Sequence, residues 1–307
     1  MFISMSKIRT WVSAARLRTL PLSISGIIVG TACAFPYYAN HENFYLIFFF
    51  AILTTLLFQI LSNFANDYGD GVKGTDNENR LGPQRALQSG LLTKEELKGG
   101  IVVTAGLSLL SALLLIYFAF GKDHFFTSLF FFVLGISCVA AAIKYTVGQS
   151  AYGYRGLGDL FVFIFFGLVG VMGCFYLYGQ TLTPWIILPA VAVGNLSIAV
   201  LNINNMRDLD ADKVVGKNTL AVKLGRQKAK YYHYFIIGFA LLAFIIYAVY
   251  SAKPIINFAF VLGYIPFVKH LMFVKNNSNP RELDSQMKIV ALSTFLVSVL
   301  FSLALIL

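Results

Sequence analysis

The chain has 307 residues, of which 58% are hydrophobic and only 12% charged, with 29 Phe, 16 Tyr and a net charge of +10. A soluble domain carries roughly 25% charged residues, so this composition excludes a soluble enzyme, a disordered chain and a disulfide scaffold. It predicts an all-α, polytopic membrane protein forming a single transmembrane domain over 1–307.

Residues 1–18 come first. Ile8, Trp11, Val12 and Ala15 recur at i, i+3, i+4 and i+7, with Lys7, Arg9, Arg16 and Arg18 on the other side. That pattern predicts a short amphipathic helix lying in the interface. The basic, polar start lacks the short apolar region and cleavage site of a secretory signal. Nine runs then approach the roughly 20 apolar residues a spanning helix needs: 20–38, 44–65, 99–120, 125–144, 159–178, 184–204, 231–250, 254–274 and 287–307. The N-terminal segment and the loops after spans two, four, six and eight carry 20 Lys/Arg, against Lys122 and Lys253 on the other side. By the positive-inside rule the N-terminus and these loops are cytoplasmic. Nine spans then put the C-terminus outside a bacterial cytoplasmic membrane. Twelve of the 14 Asp/Glu also lie on the inner side, which that rule does not require. Cys33, Cys138 and Cys174 lie in apolar runs with no CxxC pair, which argues against zinc or iron–sulfur chemistry. His41, His124, His233 and His270 are scattered and read as packing or interface residues.

The inner ends of spans two and six carry related acidic motifs. The first runs Asn63-Phe-Ala-Asn66-Asp67-Tyr-Gly-Asp70-Gly-Val-Lys73-Gly74-Thr-Asp76, the second Asn204-Asn205-Met-Arg207-Asp208-Leu-Asp210-Ala-Asp212-Lys-Val-Val-Gly216-Lys217. Aligning Gly74 with Gly216, 142 residues apart, superposes Asp70 on Asp212 and Asn66 on Asp208. Residues three or four apart share a helix face, so Asn63, Asn66, Asp67 and Asp70 form one polar stripe. Asp208 and Asp212 form another, and Asp210 points elsewhere. Carboxylates at a helix C-terminus are unfavourable beside its partial negative charge, and a cluster of them calls for a cation. Hard oxygen ligands select Mg²⁺ or Ca²⁺, so Asp67, Asp70, Asp208 and Asp212 are the candidate metal ligands. Lys73, Arg80, Arg85, Arg207 and Lys217 crowd the same loops, and with the amides of Asn63, Asn66 and Asn204 they make a candidate diphosphate clamp. The alternative is a solvated charged face with helix-end ion pairs. A third loop, from Lys144 to Asp159, holds Lys144, Tyr145, Tyr152, Tyr154, Arg155 and Asp159. It suits a flat, anionic aromatic molecule, or it is an interfacial tyrosine belt in which Arg155 and Asp159 pair.

These residues carry a resemblance. The two Asp motifs, Gly82-Pro83-Gln84-Arg85, Tyr145-Thr-Val-Gly, Ala151 to Asp159, Asn202 to Asp208 and Gly216 to Leu220 resemble the UbiA superfamily of intramembrane prenyltransferases. Within it they are most similar to the branch using 1,4-dihydroxy-2-naphthoate in menaquinone biosynthesis. The wider superfamily often has a third acid where this chain has Gly74, with Asp76 two residues later. The resemblance implies that a polyprenyl diphosphate sits on Mg²⁺ and that 1,4-dihydroxy-2-naphthoate is prenylated at its carboxylated carbon, with loss of CO₂. The residues of the third loop, Lys144, Tyr145, Tyr152, Arg155 and Asp159, are the candidate acceptor pocket, with the lipid bilayer as surroundings and no nucleic-acid partner expected. Another acceptor such as 4-hydroxybenzoate is the alternative within the class. A transporter shares repeats and intramembrane acids, but here both motifs end inward-going spans and the acids gather at one face. The Asp-Gly-x-x-Ala-Arg pattern of a CDP-alcohol phosphotransferase is absent.

Overall fold

The computed structural model describes residues 5–75, 81–251 and 254–307. Asp76 and Arg80 lie outside them. The described residues form helices and turns and no strand. Among the described residues a short helix α1 (Met5–Ala14) precedes nine helices long and apolar enough to cross a membrane. These are α2 (Leu20–Tyr38), α3 (Phe44–Lys73), α4 (Lys94–Phe120), α5 (Phe125–Lys144), α6 (Gly158–Gly179), α7 (Pro184–Val214), α8 (Leu220–Tyr250), α9 (Asn257–Asn276) and α10 (Pro280–Ile306). The nine predicted spans are borne out, but several helices run farther at the basic side. α3 continues to Lys73 and α7 to Val214, so both acidic motifs are helical. Each helix stops where a glycine accepts a positive φ, Gly74 at 72° closing α3 and Gly216 at 73° following α7, the conformation least costly for glycine.

Local chemistry sets the other boundaries. Thr93 and Glu96 form a reciprocal capping box at the start of α4, satisfying two of the donors every helix N-terminus leaves open. Thr219 accepts from the Val222 amide at the start of α8. α6 departs from the sequence expectation of a plain α-helix: Phe163–Gly173 is a π-helix. It packs against α2 where a Cβ on Gly30 would come within 2.5 Å of the Val171 carbonyl, so small residues let the backbones approach. α7 is the most buried of the spans, and none of the apolar window of α5 is buried.

α7 lies along α8, α3 along α4, and α10 against α2 and α7. α1 is held to the bundle by Trp11, whose ring meets Phe64 edge-on at 5.1 Å, and by an ion pair between Lys7 and Glu96. The C-terminal ends of α3 and α7, the segment after α1 and the loop after α5 therefore converge in one polar cap.

Candidate active site

Under that cap is a cavity of about 380 Å³. Asn63, Asn66 and Asp70 of α3 and Asn204, Asp208 and Asp212 of α7 line its polar end. Its deeper walls are apolar, with Leu115, Ile116, Phe131, Phe165 and Leu177. The spacing explains the second motif: Asn204, Asp208 and Asp212 stand at i, i+4 and i+8 on one face. Asp210 lies off that face, exposed and paired with Arg226 at 2.8 Å. The first stripe divides. Asp67 lines an adjoining cavity with Arg16 and Arg85 rather than the main one.

Each described acid of the two motifs meets a donor, Asp208 from the neighbouring Arg207 and the others from residues farther along the chain. Arg16 Nη2 donates to Asp67 Oδ1 at 2.5 Å, and Arg85 Nε lies 3.6 Å from the same oxygen. Asn63 fixes this segment by donating to the Ala15 carbonyl at 2.9 Å. Arg16 itself has φ 55°, an uncommon conformation for a residue with a Cβ. Tyr154 donates to Asp70 at 2.7 Å. Lys217 Nζ stands 4.0 Å from Asp70 Oδ2 and 3.7 Å from Asp212 Oδ1. One ammonium thus joins equivalent positions of the repeat. Burial works against its charge, but the Asp70 and Asp212 carboxylates prevail and raise its pKa. The end of α3 is pressed against the loop after α5, where a Cβ on Gly69 would lie 2.4 Å from Thr146 Oγ1. Thr146 in turn donates to the Ala65 carbonyl.

Arg207 does not face the cavity as a diphosphate ligand would. It is 1% exposed, and its Nε and Nη2 grip both oxygens of Asp208 at 2.8 and 2.6 Å. Nη1 donates to Asp284 at 2.5 Å and Nη2 to Asn204 at 2.9 Å. Gly82 covers the guanidinium so closely that a Cβ there would lie 2.7 Å from Nη2. Lys73 also lies off the cavity, exposed, with its ammonium 4.0 Å from the Tyr154 ring centroid.

The third loop is corrected in part. Tyr145 and Tyr152 line the cavity, their rings 5.3 Å apart, and Tyr152 stacks on Phe161 at 3.9 Å. Burial pushes up the pKa of Tyr145, with the Asp70 and Asp159 carboxylates adding to it. Lys144 and Arg155, assigned to the acceptor from sequence, are exposed and line no part of the cavity. The loop turns its aromatic rings inward and leaves these two cationic heads to water. Asp159 is buried and accepts from Tyr232 at 3.1 Å, so the alternative of an Arg155–Asp159 pair is not formed either. The cations lining the main cavity, among the described residues, are Arg16, Arg85 and Lys217. Sequence reasoning missed Arg16, Tyr232 and Asp284 as site residues. No local signal marks the first or last, since their partners lie 51 and 77 positions away.

Among the described residues no three His, Cys, Asp or Glu side chains converge as a ready-made metal centre. The site offers carboxylate and amide oxygens from two helices, an oxygen-only donor set that fits Mg²⁺. That ion takes one or two carboxylates and fills its shell with water and substrate phosphate.

Comparison with known proteins agrees with this arrangement. The model of the UbiA prenyltransferase family matches residues 27–303. A 1,4-dihydroxy-2-naphthoate octaprenyltransferase from Haemophilus influenzae is 44% identical over 97% of this chain and 96% of its own length. One from Escherichia coli is 40% identical over 96% and 94%. A UbiA homologue from Archaeoglobus fulgidus, solved bound to DMAPP and Mg²⁺, superposes with a TM-score of 0.62 at 14% identity, covering 97% of this chain and 99% of that one. Twin aspartate motifs under one cap, nine spans and full-length likeness agree: this chain belongs to the UbiA prenyltransferase family.

Proposed function

We propose that this protein transfers a polyprenyl group from a polyprenyl diphosphate to 1,4-dihydroxy-2-naphthoate, releasing diphosphate and carbon dioxide and giving demethylmenaquinol. The observation that carries this reading is the meeting of two repeat-related aspartate motifs at the polar end of an apolar membrane cavity. The two long relatives, which bear the name of that activity, support the acceptor.

The allylic C–O bond breaks and the electron pair leaves with the diphosphate. The ring carbon bearing the carboxylate forms the new C–C bond. Carbon dioxide departs and its bonding pair restores the aromatic ring, so no base is needed at that carbon. An allylic cation survives where water is excluded, and the apolar walls serve that end. Tyr145, Tyr152 and Phe161 present π faces that favour positive carbon. With its raised pKa Tyr145 stays protonated at neutral pH, so it serves as a hydrogen-bond donor to an acceptor oxygen and not as a base.

Asp70, Asp208 and Asp212, with Asp67 adjoining, are the proposed holders of Mg²⁺; Asn66 and Asn204 contribute amide oxygens. When bound, Mg²⁺ supplies counter-charge to the leaving diphosphate. Arg85, Lys217 and Asn63 meet the diphosphate, Lys73 serves from the rim, and Arg16 is the remaining cavity cation for the acceptor carboxylate. Arg207 acts by holding Asp208. The cap faces the cytoplasm in this reading, in accord with the charge asymmetry of the loops. Membranes containing the protein, given labelled polyprenyl diphosphate and carboxyl-labelled dihydroxynaphthoate, should release labelled CO₂ with the prenylated product and stop in EDTA. Product without CO₂, or equal use of 4-hydroxybenzoate, would overturn the acceptor assignment.

A further inference from the structure

Two of the scattered histidines meet inside the bundle. His233 on α8 and His270 on α9 are 0% and 2% exposed, and their Nε2 atoms are 2.8 Å apart. The hydrogen bonding continues at both ends. Asn202 of α7 places its amide nitrogen 3.1 Å from the Ala229 carbonyl and 3.3 Å from His233 Nδ1. His270 Nδ1 lies 2.8 Å from Gln286 Oε1 on α10.

The donors and acceptors fall in one direction. A carbonyl only accepts, so Ala229 fixes the Asn202 amide with its nitrogen towards both partners. The Asn202 Oδ1 is left buried without a partner. His233 Nδ1 then accepts, its Nε2 carries the proton and donates to His270 Nε2, and His270 Nδ1 donates to Gln286. Each imidazole is neutral with one tautomer, and the relay ties four helices together without burying a charge.

Its far end lies in the turn of α10 that meets the second motif. Two residues before Gln286, Asp284 accepts from Arg207, whose guanidinium grips both oxygens of Asp208. One residue after it, Met287 lines the main cavity. We propose that His270, through Gln286, sets the position of this turn of α10 and so of Asp284, and that His270 and Asp284 are positioning residues for the Arg207–Asp208 pair. The inference rests on the reading of Asp208 as part of the Mg²⁺–diphosphate site. Apolar packing tolerates several arrangements, whereas hydrogen bonds that give every ring nitrogen of His233 and His270 a partner specify one.

The test compares His270→Leu, His270→Gln and Asp284→Asn in the full-length protein in detergent. Gln keeps an acceptor for His233 and a donor for Gln286; Leu keeps neither. Calorimetry with geranyl thiodiphosphate, a slowly reacting analogue, and Mg²⁺ reads affinity without turnover. His270→Leu and Asp284→Asn should each weaken it about tenfold, the scale of lost outer-shell support at a metal site. His270→Gln should bind nearly as wild type, and the KM for dihydroxynaphthoate should not move. The double variant should bind no worse than the weaker single one. Wild-type affinity in Asp284→Asn, equal damage from Gln and Leu, or multiplied effects in the double variant would overturn the relay. Should His270→Leu lose its folded state, Asp284→Asn and His270→Gln still decide. A wild-type protein that binds the analogue but does not prenylate dihydroxynaphthoate would instead fail the acceptor reading.

Discussion

Lys217→Met removes a cation that Asp70 and Asp212 share. At 4.0 and 3.7 Å, with an effective dielectric constant of about 20, each pair has a gross attraction of roughly 4 kcal/mol. Desolvation of the ammonium cancels much of this, yet removing one member of a buried ion pair costs about 3 kcal/mol. For a chain of this length that lowers the unfolding midpoint by roughly 5 °C. The measurement is thermal unfolding of both proteins in one detergent at one scan rate, in EDTA and in saturating Mg²⁺. In EDTA the variant should unfold earlier. In Mg²⁺ the gap should narrow, because an added cation relieves the same two carboxylates. The Lys217 pKa is raised, so its contribution is complete below the ordinary lysine value and is lost only as pH climbs through the raised one. The EDTA gap should therefore stay constant from about pH 6 to 9. A variant as stable as wild type in EDTA would refute the shared-cation reasoning, and a gap that Mg²⁺ leaves untouched would move the metal away from Asp70 and Asp212.

Asp208→Asn should cut turnover by orders of magnitude with the protein still in the membrane, whereas Asp210→Asn, exposed and paired with Arg226, should retain most activity; steady-state assays of the two separate site from surface. Arg155→Ala should leave the KM for dihydroxynaphthoate unchanged, since its side chain is exposed away from the cavity, and a raised KM would return that loop to the acceptor. Cysteines placed at Glu95 and Lys228, both exposed on the cap side, should escape an impermeant thiol reagent in intact cells and react in inverted vesicles; labelling of intact cells would reverse the proposed topology.

Much of the fold was legible because a bilayer imposes a length and a polarity on every span. The nine apolar runs needed no tertiary information. The second motif was legible for a related reason: 3.6 residues per turn puts Asn204, Asp208 and Asp212 on one face and Asp210 off it. Choice of ionic partner was not legible. Arg16 reaches Asp67 only because the segment after α1 folds under α3, and Asp284 reaches Arg207 only because α10 packs on α7. Lys144 and Arg155 lie off the cavity for the converse reason. Composition placed them beside inward tyrosines, while the turn geometry sends long cationic side chains outward. The π-helical stretch of α6 was hidden as well, since an apolar run from Phe163 to Gly173 reads alike for α and π winding.

The charge matching of the cap has a consequence for the order of binding. Asp67 is matched by Arg16 and Arg85, Asp70 and Asp212 by Lys217, and Asp208 by Arg207. A diphosphate arriving alone competes with carboxylates for these cations, and Mg²⁺ arriving alone competes with these cations for carboxylates. Arriving together they exchange partners: the metal takes carboxylate oxygens, and the released Arg85 and Lys217 take phosphate oxygens. Each ligand should therefore strengthen the other, and by linkage the factor must be the same in both directions. Titrating geranyl thiodiphosphate at several fixed Mg²⁺ concentrations, and Mg²⁺ at several fixed analogue concentrations, measures both factors, after correction for the metal–analogue complex formed in solution. They should agree and reach about tenfold or more, within the range typical of coupled sites. Analogue affinity that does not depend on Mg²⁺ would mean that the cap cations alone hold the diphosphate and that the four aspartates serve only to balance them.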